Sequence, residues 1–313
     1  MYNFTNTSMH EIITRLSEDI DSMQAQEIVE FEVFNPDNVK STYAGELINV
    51  DSSTYIYRGY KTWVDLAQQL KSRILTPKTM SENTILIRFE KLNSDDSFHQ
   101  VTQAKEEKYG SRSIFSKIHK NEESSFIYYY IQALKNVNIN QRIKVLNLGV
   151  NSGDEFEAIM HYSSNFKNLE LVGIDYCSSA IKLAKEKFKN ETNISFYTHD
   201  INQLNALNIG EFDLIISIGT LQSSNLEFNK LLMSIVQNQL KKDGSMILGF
   251  PNCRWIDGEM IYGARVKNYP FSEMGLLYKD VMFSKKYLQQ KKYRVTITGK
   301  DYIFICATSI RKD

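Results

Sequence analysis

The run from Lys144 to Glu155 constrains the fold more than any other part of the chain. An apolar strand, Val145-Leu146-Asn147-Leu148, passes into a turn punctuated by Gly149 and Gly153 and then into a helix. A strand that enters a helix across a glycine-bearing turn opens a strand-turn-helix unit. Glycine takes backbone angles closed to residues with a Cβ, and its missing side chain lets another group touch the main chain. Alone, the pattern fits equally well a tight turn before a packed helix. The elements further along the chain decide between the two.

A second apolar strand over 169–175 ends in Asp175, about 22 residues beyond Gly153. In doubly wound sheets an acid at that offset meets ribose hydroxyls. A third strand, 194–200, ends in Asp200, a fourth covers 212–219 and a fifth 245–250. Segments with helical period lie between them, as a parallel sheet requires. Ser178 is placed to cap a helix carrying Ala180, Ile181, Ala184 and Phe188, and Asn225 to open one carrying Phe228, Leu231, Leu232, Ile235, Val236 and Leu240. Lys241-Lys242-Asp243-Gly244 reads as the close of that second helix. The chain finishes with strands over 293–298 and 302–308 around Gly299-Lys300-Asp301, a hairpin.

From about Ile114 onward this order resembles the class I S-adenosylmethionine-dependent methyltransferases. The resemblance implies an α/β fold, a Rossmann-like, mostly parallel sheet with a C-terminal antiparallel hairpin, and S-adenosylmethionine as cofactor. It lays the family's glycine motif on 145–153, its ribose-binding acid on Asp175, its adenine-edge acid on Asp200 and its helix-to-strand turn on 240–247. The implied cofactor-binding set is Asn147, Gly149, Asn151, Gly153, Asp175, Tyr176, Asp200, Ile201, Ile218 and Gly219. In it Tyr176 lies against adenine, Ile201 covers the ring, and Gly149 and Gly153 admit the methionine part. Thr220-Leu221-Gln222 walls the sulfonium.

Two positions depart from the family. Asn151 replaces a glycine, and asparagine tolerates left-handed angles best among the other residues. Asn147 replaces an acid, removing a negative charge that in the family helps to hold the cationic cofactor; a catalytically weak, cofactor-binding scaffold is therefore an alternative to an active enzyme. Surface or turn acids capping helices remain the alternative for Asp175 and Asp200.

Two segments suit an acceptor site. The connection 251–265 mixes aromatics, charges and glycines, with Arg254, Asp257, Glu259 and Tyr262 as candidates to position or deprotonate an acceptor; a salt-bridged surface loop would look the same. The other is 112–117 leading into the aromatic run 125–130, which an ordinary packing face would also explain.

Other chemistry is disfavoured. His10, His99, His119, His161 and His199 are scattered without ligand spacing, so no metal is expected. The base-amine motif of some relatives is missing after the fourth strand, where Gly219-Thr220-Leu221-Gln222 stands. Cys253 follows the fifth strand but lacks the Pro-Cys partner of cytosine methylation, and reads as a structural thiol. Three cysteines, no bilayer-length apolar run and no basic-then-apolar leader point to the cytoplasm and away from a membrane.

Net charge is zero, although residues 1–100 hold about 9 basic and 15 acidic side chains and 251–313 about 12 and 6. No wholly basic nucleic-acid face follows, which favours a small-molecule acceptor, with RNA, tRNA in particular, as the alternative. Residues 1–104 read as a separate α+β domain, with a helix over 9–23, a strand over 28–34, and further elements near 54–58, 62–70 and 84–92; the methyltransferase-like domain takes 105–313. The linker falls at 93–97 or 105–110. Selecting the acceptor, forming a homodimer and buttressing the sheet are all open roles for the first domain.

Overall fold

The computed structural model describes residues 1–96, 109–110, 113–223, 226–263 and 274–311, with the backbone alone at 276. The chain divides into two compact units, Met1–Gln100 with Trp255–Tyr262, and Val101–Arg254 with Gly263–Asp313. Ser97 of the first proposed linker and 105–108 of the second lie outside the described residues, as do Asn225 and Arg112.

The first unit runs β1 (Tyr2–Asn3), α1 (Met9–Ser22), β2 (Ile28–Phe34), β3 (Leu47–Val50), β4 (Ser53–Ile56), α2 (Tyr60–Gln69), β5 (Ser72–Thr79) and β6 (Thr84–Lys91). Its main sheet has the order β1-β2-β6-β5, and β3 pairs with β4 in a separate hairpin. Ser8 caps α1 by accepting the Glu11 N–H at 3.3 Å. One stripe of that helix, Ile12, Leu16 and Ile20, meets Trp63, Leu66 and Ala67 of α2 and the inward residues of β2 and β6. Phe31 sits at the centre, its ring 5.4 Å from Phe4, 5.5 Å from Trp63 and 5.1 Å from Phe89.

In the second unit α3 (Ser124–Asn136) precedes β7 (Lys144–Leu148), α4 (Asp154–Tyr162), β8 (Glu170–Asp175), α5 (Ser178–Lys187), β9 (Ile194–Thr198), β10 (Phe212–Ile218), α6 (Phe228–Asn238) and β11 (Leu240–Pro251). The chain then forms a short hairpin, β12 (Cys253–Ile256) and β13 (Glu259–Tyr262), of which Trp255–Tyr262 belongs to the first unit, and continues in the second with α7 (Gly275–Gln290), β14 (Tyr293–Gly299) and β15 (Tyr302–Ser309). The seven-stranded sheet has the order β14-β15-β11-β10-β7-β8-β9. β7 to β11 are mutually parallel, and β15 runs antiparallel to both of its neighbours. Every residue of β10 is buried, as expected of a central parallel strand covered on both faces. The expected Rossmann-like sheet with its reversed C-terminal hairpin strand is therefore present.

Two local expectations need correcting. Lys241 to Gly244 do not close a helix: α6 ends at Asn238, capped by Gln239 at φ −118°, and 240–251 is already strand. The lysines read as a C-terminal signal, but Phe212↔Leu240 pairing draws the segment into the sheet. Ser178 does not cap α5 either; Cys177 holds that place, and its N–H is bonded to the Asp175 carboxylate at 2.9 Å.

Candidate active site

The order of the sheet reverses between β7 and β10, and in open α/β sheets ligands bind beyond the strand tips at such a switch point. The register pairs Leu148 with Ile174 and Asp175 with Thr198, so the ends of β7, β8 and β9 lie side by side. Gly149, Asp175 and Asp200 are thereby brought to one edge of the sheet.

Past β7 the chain alternates left-handed residues, Gly149 at φ 77°, Asn151 at 46° and Gly153 at 89°. Asn151 keeps the turn without a glycine because its side chain is tied at both ends: Nδ2 donates to Tyr109 O at 2.9 Å and Oδ1 accepts the Ser152 N–H at 2.8 Å. Its own N–H goes to Asp175 Oδ2 at 2.9 Å. The two glycines serve packing. A Cβ on Gly149 would stand 1.8 Å from Thr220 Oγ1, and one on Gly153 would stand 2.6 Å from the Phe188 ring. Gly149 thus lets the tips of β7 and β10 touch, and Gly153 seats α4 against Phe188.

Asp175 joins β8 to the turn and to α5, each carboxylate oxygen taking one backbone N–H, from Asn151 and Cys177. The two oxygens together accept about four bonds, so the carboxylate retains capacity for a ligand hydroxyl. Burial pushes the carboxyl pKa up, and the backbone N–H groups of Cys177, Asn151 and Tyr176 pull it back. Tyr176 is exposed beside it. Asp200 caps a 3₁₀ turn, Ile201–Leu207, its Oδ1 accepting Asn202 N at 2.9 Å and Nδ2 at 3.0 Å. Ile201 is packed in the hydrophobic core with Leu204, and Ile218 stands where a Cβ on Gly249 would fall. Gly219, at φ 70°, bonds Gly249 O through its N–H at 2.9 Å.

Two buried acceptors near these tips have no donor among the described residues, Asn147 Oδ1 in β7 and Gln222 Oε1 after β10. Unpaired buried oxygens are costly, and others occur at Asn121, Asn193, Gln239, Asn252 and Asp301, but these two stand at the strand tips of the switch point, where donors of a ligand fit. An adenosyl ligand with an ammonium group supplies such donors, and Asp175 retains acceptor capacity for its ribose. The residues fit S-adenosylmethionine. Two participants escape a reading of the sequence. Glu155, 1% exposed in the first turn of α4, accepts Lys120 Nζ at 2.8 Å and Asn147 Nδ2 at 3.3 Å. Burial opposes charge on Lys120, but the Glu155 carboxylate, with Asp154 behind it, outweighs burial and raises the ammonium pKa. An acid just past Gly153 is visible in the sequence; its lysine, 35 residues upstream, carries no such signal.

The supposed binding loop after β11 is not an open loop. Asp257 and Gly258 have φ 48° and 79°, the signature of a two-residue hairpin turn, and β12 and β13 pair around them. Asp257 lies 3.1 Å and Glu259 3.7 Å from Arg73 as ion pairs within the first unit, and Asp257 also accepts the Asn93 N–H at 3.1 Å. Arg254 and Tyr262 are strand residues, Tyr262 exposed. The four candidate acceptor-handling residues are thus divided between the units, Arg254 in the second and the other three in the first. Cys253, 9% exposed, has its thiol pushed up to about 12 by burial, then by Asp301 and Glu123, so a nucleophilic thiolate is disfavoured. Among the described residues no group of three His, Cys, Asp or Glu side chains could hold a metal, and no helix is long and apolar enough to cross a membrane.

The chain is 26% identical over 157 residues to carboxy-S-adenosyl-L-methionine synthase of Helicobacter pylori strain HPAG1, covering 49% of this chain and 63% of that protein. The strain Shi470 protein of the same name is 27% identical over the same length. The chain therefore spans less than two thirds of these curated relatives. Among solved structures it is similar to an S-adenosylmethionine-dependent methyltransferase from Aquifex aeolicus, with a TM-score of 0.43 at 16% identity over 62% of this chain and 98% of that one. The N-methyltransferase NodS of Bradyrhizobium japonicum with S-adenosyl-L-homocysteine gives 0.42 at 16% identity over 60% and 89%. A family model described as a methyltransferase domain matches residues 139–297, just over half of the 313. The chain belongs to the class I S-adenosylmethionine-dependent methyltransferase family.

Proposed function

We propose that the protein transfers the methyl group of S-adenosylmethionine to a small-molecule acceptor. One observation carries the cofactor half of this reading: β7 and the segment after β10 hold buried acceptors without donors among the described residues, beside a β8 carboxylate with free lone pairs, at the reversal point of the sheet. When bound, the cofactor supplies a methyl on a cationic sulfur that is open to in-line displacement. What falls to the protein is alignment and exclusion of water. Asp175 would take the ribose hydroxyls, Tyr176 would lie against adenine, and Asp200 would accept the adenine amino group through the oxygen its cap leaves over. The 149–153 turn would present main chain to the methionine part, and Gln222 would face the reacting end.

The even balance of charge and the missing base-amine motif support a small acceptor over RNA. Acceptor selection or dimer formation by the first unit belongs to the same proposal. A second reading follows from the curated relatives, which by name are synthases of carboxy-S-adenosyl-L-methionine: the cofactor would then be carboxylated rather than spent as a methyl donor. Calorimetric titration with S-adenosylhomocysteine and with NAD tests the first step: binding of NAD alone removes the reading. Incubation with labelled methyl donor, a metabolite extract and total tRNA then locates the label by mass. Label in tRNA replaces the small acceptor, and a carboxylated cofactor selects the second reading.

A further inference from the structure

The family's strand-tip acid is Asn147 in this chain, yet a carboxylate still stands next to that tip. Glu155 reaches it from α4, and Lys120, 8% exposed on the 3₁₀ turn Lys120–Glu122, closes the charge. The Lys120 ammonium also lies 5.4 Å over the Phe126 ring, and Tyr130 Oη donates to Glu155 O at 3.4 Å. The cluster is thus held from α3, α4 and β7 and is neutral as a whole. It borders the ribose acid, because the Glu155 charge helps to raise Asp175.

Two bonding capacities remain on it. Asn147 Oδ1 is fully buried and has no donor among the described residues. An ammonium has three N–H groups, and among the described residues the hydrogen bond from Lys120 goes to Glu155 alone. A spare acceptor and spare donors on one neutral cluster complement a ligand that carries an ammonium and a carboxylate on the same carbon. The amino-acid end of the cofactor is such a ligand.

We propose that Lys120 is the binding residue for the cofactor's carboxylate and that Asn147 Oδ1, its amide polarised by the positioning residue Glu155, accepts from the cofactor's ammonium. The acid lost from the strand tip is thereby replaced by a cluster in which Asn147 reads the ammonium and Lys120 the carboxylate, both held by Glu155. This assignment rests on the proposed binding of S-adenosylmethionine.

The test is calorimetry with three ligands: S-adenosylhomocysteine, its decarboxylated analogue and methylthioadenosine, which lacks the amino-acid end. Lys120→Met with Glu155→Gln removes the pair without leaving a buried lone charge. S-adenosylhomocysteine should bind this variant about tenfold or more weaker, the scale of one charge-assisted hydrogen bond, and methylthioadenosine within about twofold of the original affinity. Equal losses for both ligands would make the pair merely structural, and no loss for either would remove it from the site. If the variant does not fold, the unaltered protein still decides: it should bind the decarboxylated analogue about tenfold weaker than S-adenosylhomocysteine, and equal affinities overturn the assignment of Lys120. Failure of the unaltered protein to bind S-adenosylhomocysteine and methylthioadenosine alike overturns the cofactor reading instead.

Discussion

The two units differ in what they bury. In the first, most charges stay on the half-exposed faces of the sheet, as in Arg88 with Glu30 at 2.8 Å; Arg58, the one charged side chain buried there among the described residues, donates to Thr7 O at 2.6 Å beside a core closed by Phe4, Phe31, Trp63 and Phe89. In the second, Asn147, Glu155 and Lys120 are drawn inside, and they are gathered at the strand tips of the switch point. Burying such groups costs free energy unless they are paired, and two acceptors there have no partner among the described residues. A fold that optimised stability alone would have no reason to keep them. The contrast sets a unit whose interior is almost wholly apolar beside one that keeps several polar groups buried at its strand tips.

The largest effect tests the packing side. Trp63→Ala should destabilise the first unit by about 3–5 kcal/mol in a melting experiment, while S-adenosylhomocysteine affinity of the folded protein stays within about twofold. A matching loss of affinity would break the division of roles. On the other side, Gly149→Ala forces a Cβ onto Thr220 Oγ1 at a φ of 77°. It should cost about 2 kcal/mol or more in stability, and normal melting would show that the β10 tip yields.

Asp175→Ala should weaken cofactor affinity by about 1.5–3 kcal/mol. The Asn151 and Cys177 N–H groups lose their acceptor too, so a small drop in melting temperature should accompany it. Unchanged affinity in calorimetry would remove the ribose assignment. Asp257→Ala should cost only about 1 kcal/mol in stability and leave methyl transfer intact; a large fall in turnover would restore this residue to the acceptor site.

The smallest effect concerns pH. Burial raises the Cys253 and Cys306 thiols from 9.0 to about 12. Because the folded pKa is the higher one, their contribution to stability is complete below about pH 9 and is lost as pH rises toward 12. Alkylation of the folded protein should therefore be slow at pH 8, and rapid labelling of Cys253 there would contradict its burial.

Periodicity makes the parallel sheet readable, because β7, β8 and β10 are mostly apolar and α6 carries a clean stripe. Within the site, Gly149 and Asp175 are visible because strand tips are marked by local residue types. The Lys120 and Glu155 pair is not, since its partners meet only after α3 and α4 have packed. β5 is hidden because Thr76-Pro77 interrupts it, and the register shifts there between Leu75 and Lys78. The hairpin after β11 is obscured for a different reason. Its Asp257-Gly258 signal is strong, but only short strands flank it, and their mixture of charges and aromatics resembles loop composition.

That hairpin has a further consequence. The chain quits the larger unit at Arg254 and re-enters it at Gly263, so the smaller one is assembled from two stretches separated by about half of the polypeptide. No single proteolytic cut can release it intact. A fragment ending at residue 100 would lack Ile256 and Ile261, leaving Leu92 without the apolar neighbours that bury it. The smaller unit is therefore complete only after the ribosome has passed residue 262, and its last strands must join a fold whose opening strands were synthesised first.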